Sequence, residues 1–216
     1  SFIYNPLLQY MVKIGRNTQK TTNFKKHTTK NPIGRVFLNN FLNTVVKTTR
    51  PLNIDTILDV GCGEGFTLAR LKKEKIGKSY EGIEYEDSAI ELGKKLYPGL
   101  EIKKGDIYKL PHKDNSFDLV ICTEVLEHLE NPKKAYKELL RVSRKYVLLS
   151  VPNEPFFTIQ RMARFQNILH LGAHPEHIQH WTIRAFMKFV KVREVKLVTR
   201  KFPIPWTMVV VKKKIS

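Results

Sequence analysis

Apolar positions in the middle of the chain alternate between two spacings. Thr56–Val60 is a short apolar run, followed by Phe66–Lys75, where Phe66, Leu68, Ala69 and Leu71 recur among lysines at helical spacing. Tyr80–Tyr85 predicts a second strand and Ser88–Leu96 a second helix, stopped by Tyr97-Pro98-Gly99. Leu100–Lys103 is a short third strand, and Asp118–Thr123 a fourth behind the turn-prone Lys113-Asp114-Asn115-Ser116. Pro132–Val142 predicts a helix with proline in its first turn, and Tyr146–Val151 a fifth strand closed by Pro152. Two more strands, around Val192–Thr199 and Thr207–Lys213, lie close enough in sequence to pair antiparallel at a sheet edge.

Repeated strand–helix units of this length imply an α/β fold: a mostly parallel, Rossmann-like sheet with helices on both faces. Its crossovers are right-handed, so the loops at the carboxyl ends of the strands gather along one edge, where a ligand should bind. Ahead of this core, Ile33–Lys47 carries Val36, Phe37, Phe41, Leu42, Val45 and Val46 at helical spacing and should pack on the sheet. Arg16–Asn31, polar and basic, reads as a loop. Phe156–Leu171 sets Phe157, Phe165, Ile168 and Leu169 on one side, with Arg161 and Arg164 between them. Residues 1–50 and 153–190 are expected to supply a small cap on the acceptor side, with residues 51–216 as the main domain.

The motifs place chemistry on that edge. In Ile57-Leu58-Asp59-Val60-Gly61-Cys62-Gly63-Glu64-Gly65 a strand meets a helix through three glycines in five residues. Glycine permits left-handed backbone and lets a ligand approach the main chain, while the free N–H groups of the next helix attract a carboxylate or phosphate. Asp59 can accept hydrogen bonds from an ammonium group. The spacing is Gly-x-Gly-x-Gly, not the Gly-x-Gly-x-x-Gly of dinucleotide enzymes. Glu84 ends the second strand 21 residues after Gly63, where an acid can take both hydroxyls of a ribose. Gly105-Asp106-Ile107 follows the third strand and offers an acceptor and an apolar residue to an adenine. Phe117–Cys122 then leads into Thr123-Glu124-Val125-Leu126-Glu127-His128.

In this order the motifs resemble the class I S-adenosylmethionine-dependent methyltransferases, specifically the group that includes the quinone-biosynthesis enzymes, over about residues 55–152. The resemblance implies S-adenosylmethionine as cofactor and a seven-stranded sheet with its last strand antiparallel. It implies Gly61, Gly63 and Gly65 beside the amino-acid part of the cofactor, with Asp59 and Cys62 in the same cradle. Glu84, with Tyr85 next to it, would face the ribose, Asp106 and Ile107 the adenine, and Thr123 the sulfonium.

A sulfonium methyl is already activated, so an in-line displacement needs mainly alignment, and a base only for a weakly acidic acceptor. The candidate catalytic residues are Glu124, His128 and the downstream His177, within a group formed by His174, His177, His180 and Trp181. Glu124, Glu127 and His128 stand at i, i+3 and i+4 and would share a face on a helix. One reading makes that segment an ordinary helix start with no metal. The other converges Glu124, Glu127, His128 and His177 on a divalent cation, resembling the small-RNA 3′-terminal 2′-O-methyltransferases.

Charge narrows the partners. Residues 1–50 hold nine Lys or Arg and no acid, residues 51–152 seventeen of each sign, and residues 153–216 twelve basic against three acidic. The whole formal excess of +18 therefore sits in the flanks, which suits an anionic partner. A small or lipid-like acceptor that carries phosphate, an anionic membrane surface and RNA all fit. For RNA, Phe24, Phe156, Phe157 and Trp181 are candidate base-stacking residues. A non-catalytic cofactor-binding protein is the remaining alternative. Two cysteines, Cys62 and Cys122, exclude a disulfide scaffold and read as buried thiols of a cytoplasmic protein. Ser1–Ile14, with Pro6 and Lys13, is a poor match to a signal peptide.

Overall fold

The computed structural model describes residues 21–154 and 178–214. Its elements are helices α1 (Thr22–His27) and α2 (Pro32–Thr49), then β1 (Thr56–Val60), α3 (Phe66–Lys73), β2 (Ser79–Glu84), α4 (Asp87–Leu96) and β3 (Glu101–Lys104). They continue with β4 (Phe117–Thr123), a 3-10 turn (Leu126–His128), α5 (Pro132–Val142), β5 (Ser143–Pro152), α6 (Ile183–Val190), β6 (Val195–Lys201) and β7 (Trp206–Lys213). The seven strands form one sheet in the order β3-β2-β1-β4-β5-β7-β6. Pairing is parallel from β3 to β5, while β7 runs antiparallel to both β5 and β6. This is the mixed sheet with an antiparallel last strand that the sequence implies.

The strands read as unbroken apolar runs because helices cover both faces. Successive residues alternate between two cores: Leu58, Val60, Val120, Cys122, Val147 and Leu149 face α5 and α6, while Ile57, Leu119, Ile121 and Leu148 face α2, α3 and α4. In β7, Val209 and Val211 go to the first core, Met208 and Val210 to the second. Both cysteines are buried free thiols. Trp181 packs in the first core against Phe186 and Phe189, and Phe24 is buried beside Phe66, Leu92 and Leu96. Neither ring is free to stack on a base, which corrects that expectation. Phe156, Phe157 and the rest of Phe156–Leu171 lie outside the described residues. No described helix is long and apolar enough to cross a membrane.

One stretch departs from the local reading. Residues 22–27, expected as part of a loop, form α1. Thr21 caps it by accepting from Phe24 N–H at 3.0 Å, and the positive charges of Lys25 and Lys26 suit its carboxyl end. Its anchors come from far along the chain. The Thr21 hydroxyl and the Asn23 side-chain amide both donate to the carboxylate of Glu64, a residue with no exposed surface. Thus α1 is fastened to the glycine turn itself.

Candidate active site

The strand order reverses between β1 and β4, and a cavity of about 690 Å³ opens there at the carboxyl edge. Gly61 and Gly63 both have left-handed backbone, with φ +75° and +54°. A Cβ on Gly61 would meet Val125 Cγ2 at 2.4 Å, and one on Gly63 would meet Asn23 Nδ2 at 2.4 Å. The turn is pinned to β2: Gly61 and Cys62 N–H donate to the Ile83 carbonyl at 2.7 and 3.1 Å. Gly63 N–H donates to Glu84 Oε2 at 2.7 Å, while Glu84 Oε1 accepts from Tyr85 and Glu86 N–H at 2.7 and 3.0 Å.

Asp59, Gly61, Cys62, Gly63, Glu84, Tyr85, Asp106, Ile107 and Thr123 all line this cavity. Gly65 is not among these lining residues; it caps α3 in left-handed backbone (φ +84°), where it turns the chain. Asp106 Oδ1 also accepts from Tyr108 N–H at 2.8 Å, closing a tight turn after β3. Asp59 is 1% exposed, and its Oδ1 has no hydrogen-bond partner. Burial, and then the neighbouring Glu84 charge, push its carboxyl up to about 8. An acidic oxygen left unpaired on a cavity wall suits a cationic ligand group, because desolvation without a partner is costly. Burial, Asp59 and Glu84 likewise raise the Cys62 thiol well above its ordinary range, so it serves as lining and not as a nucleophile.

The acceptor side differs from the helical reading of Glu124, Glu127 and His128. Glu124 has left-handed backbone (φ +61°), and only a 3-10 turn follows it. Glu124 and His128 line the cavity, whereas Glu127 turns inward and is 1% exposed. Burial and the charge of Glu124 raise the Glu127 carboxyl well above its usual range. The three side chains therefore do not share a face. Among the described residues no group of three or more His, Cys, Asp or Glu could hold a metal ion. His174 and His177 lie outside the described residues. His180 is exposed, 4.0 Å from Glu154, and is not part of the cavity lining.

Sequence reasoning missed several residues in and behind the cavity wall. Trp206 Nε1–H donates to Glu124 Oε2, and Ser150 Oγ donates to Oε1 at 3.4 Å. Lys26 places its ammonium 3.7 Å from Glu124 Oε2 and 4.9 Å from the Trp206 ring centroid. His27 stacks on Phe66 with centroids 4.0 Å apart. Burial, then Lys26, hold its imidazole well below its usual range, so it is neutral at pH 7. The Thr21 cap and the basic run Lys25-Lys26-His27 were the available signals for this helix. Nothing local in sequence points Trp206 at Glu124.

Such a sheet, with its cavity at the strand-order reversal, is a Rossmann-like α/β arrangement. A family profile described as a methyltransferase domain matches residues 58–150. A probable S-adenosylmethionine-dependent methyltransferase of Mycolicibacterium smegmatis is 30% identical over 104 residues, covering 47% of this chain and 40% of that protein. The phthiotriol/phenolphthiotriol dimycocerosates methyltransferase of Mycobacterium tuberculosis is 33% identical over 90 residues, covering 41% of this chain and 33% of the relative. The chain thus spans 40% or less of the length of these curated relatives. Among solved structures, magnesium protoporphyrin IX methyltransferase from Synechocystis PCC 6803, with SAH bound, superposes with a TM-score of 0.67. It is 15% identical, and the match covers 94% of this chain and 100% of that one.

The carboxylate of Glu84 provides a direct test of the cradle. Glu84→Ala removes the partner of Gly63 N–H along with any contact to a ribose. Affinity for S-adenosylmethionine should fall by about 1–3 kcal/mol, the cost of losing charge-assisted hydrogen bonds. Calorimetry that finds the affinity unchanged would move the ribose contact elsewhere.

Proposed function

We propose that this chain is an S-adenosylmethionine-dependent methyltransferase that passes the methyl group in line to a small or lipid-like acceptor. One observation carries the reading: a left-handed glycine turn, a ribose-side acid and an orphaned buried carboxyl oxygen converge on a single cavity. Residues and cofactor fit each other. Asp59 suits the ammonium, Gly61, Cys62 and Gly63 the main-chain cradle, Glu84 and Tyr85 the ribose, and Asp106 and Ile107 the adenine. Thr123 stands at the mouth of β4 beside the acceptor side. When bound, the cofactor supplies an electrophilic methyl on a sulfonium.

The protein's own part is alignment and exclusion of water. Helix α1 contributes Asn23, Lys26 and His27 to the wall, so the cavity is incomplete without it. We assign α1 to the cap on these grounds. Glu124, fixed by Trp206 and Ser150, presents a carboxylate to the acceptor, and His128 faces the same space. The lipid-like acceptor is supported by the Mycobacterium tuberculosis relative, which its name places on dimycocerosates.

The test is acceptor profiling with isotopically labelled methyl donor against lipid, metabolite and RNA fractions. Label in lipids or small molecules is the expected result. Label confined to RNA would overturn the acceptor class. Tight cofactor binding with no transfer to any fraction would leave a binding protein in place of an enzyme.

A further inference from the structure

Four of the eight exposed large apolar side chains among the described residues form two pairs. Phe202 and Ile204, exposed by 46% and 49%, sit on the β6–β7 turn. That turn belongs to the carboxyl edge, because Trp206 pairs with Pro152 and Asn153 N–H donates to the Pro205 carbonyl at 2.9 Å. Ile33 and Val36, exposed by 55% and 65%, belong to the first turns of α2. Phe41 of α2 packs on Trp206 with centroids 5.0 Å apart. At about 1.5 Å per residue, Val36 and Ile33 lie roughly 7 and 12 Å further toward the start of the helix. They lead up to α1, which is fastened to the glycine turn on the same edge.

Cations accompany these side chains. Arg200 and Lys201 precede Phe202, Lys30 and Arg35 flank Ile33, and Lys25 stands exposed on α1. None of the five forms an ion pair among the described residues. The exposed acids Glu86, Asp87 and Asp106 collect at the other end of the edge, after β2 and β3. The cavity mouth is therefore flanked on one side by aliphatic and aromatic side chains set among unpaired positive charges.

We propose that this part of the carboxyl edge, the β6–β7 turn with the start of α2, docks on an anionic lipid bilayer. The inference rests on the lipid-like acceptor reading and deepens it, since docking would bring the cavity mouth to the membrane surface. Both halves of the pattern are needed. Isolated exposed apolar residues are ordinary, but apolar tips within a cationic collar are what an interface of headgroups and acyl chains accommodates. Aliphatic tips such as Ile33, Val36 and Ile204 offer a nucleic acid no stacking face, which favours the bilayer over RNA.

The experiment is co-sedimentation of the full chain, with and without S-adenosylmethionine, on phosphatidylcholine vesicles and on vesicles carrying about 30% phosphatidylglycerol. Binding should require the anionic lipid and weaken as salt rises from roughly 50 to 500 mM. F202S/I204S should reduce it roughly tenfold through lost insertion. R200E/K201E should reduce it at least as much through charge. Calorimetric cofactor affinity, measured on the same variants, shows that they fold and separates this inference from the enzyme reading. If F202S/I204S does not fold, I33S/V36S is read in its place, with the same tenfold loss expected. Failure to bind anionic vesicles, or binding that ignores both apolar pairs, overturns the proposal. So does tighter, salt-sensitive binding to single-stranded RNA that the apolar variants leave unchanged. Vesicle binding without cofactor binding would sink only the enzymatic reading.

Discussion

Replacing Gly63 with valine is expected to leave a folded protein whose affinity for S-adenosylmethionine has dropped at least about a hundredfold, or ~2.7 kcal/mol. Two effects add. The backbone at Gly63 is left-handed, at φ +54°, a region that penalises L-residues by roughly 1–2 kcal/mol and β-branched ones more. Valine's Cβ would also fall 2.4 Å from Asn23 Nδ2, so the Asn23 side chain must swing away from Glu64 and α1 loses that anchor. The damage is local to the cradle and to the helix that walls it, while the two sheet cores are untouched. Calorimetry with S-adenosylmethionine and its demethylated product, beside a thermal melt, makes the check. A valine variant that binds normally would show that this turn is not the cradle.

Cofactor affinity should climb with pH up to about 8 and then level or fall. In the free protein the Asp59 carboxyl, pushed up to about 8, is neutral through most of the physiological range. An ammonium at its unpaired oxygen favours the carboxylate, so binding below pH 8 must release a proton. Affinity then approaches a tenfold gain per pH unit on the acid side. Above about 8 the ligand's own α-amino group loses its charge, and the gain ends. Stability of the free protein runs the opposite way. Because the folded Asp59 holds its proton to higher pH than the unfolded one, its unfavourable contribution is absent below about 4. It grows as pH rises from there to about 8, by an amount on the order of a few kcal/mol. Asp59→Asn should therefore raise the melting temperature of the free protein at pH 8, abolish the pH slope of binding and weaken affinity at pH 8. Calorimetry at pH 6.5 in two buffers of different ionisation enthalpy measures the released proton directly. Equal heats in both would refute the pairing of Asp59 with an ammonium.

The positions of these effects were unequally legible in the sequence. β1 at Thr56–Val60 and α5 at Pro132–Val142 coincide with the pattern-based boundaries, because an apolar run before glycine and a proline in a first turn are signals complete within a few residues. The Glu124–His128 segment misled for the same local reason. Spacing of i, i+3 and i+4 has meaning only on an α-helix, and a left-handed residue at Glu124 followed by a 3-10 turn sends Glu127 into the interior. α1 was read as loop because its one buried apolar residue, Phe24, gives no periodicity, and its anchors on Glu64 lie more than forty positions away.

Alternation of strand and helix, the glycine turn, and the acids ending β2 and following β3 were set by the order of residues alone, since each depends on neighbours within one turn or one strand. Closure of the cavity was decided only when the chain packed. Glu64 draws α1 across the turn, and β7 returns antiparallel to carry Trp206 to Glu124 across 82 positions. The unpaired oxygen of Asp59 belongs to this second group as well. Whether a buried carboxyl is satisfied depends on every element around it, and no stretch of sequence contains that sum.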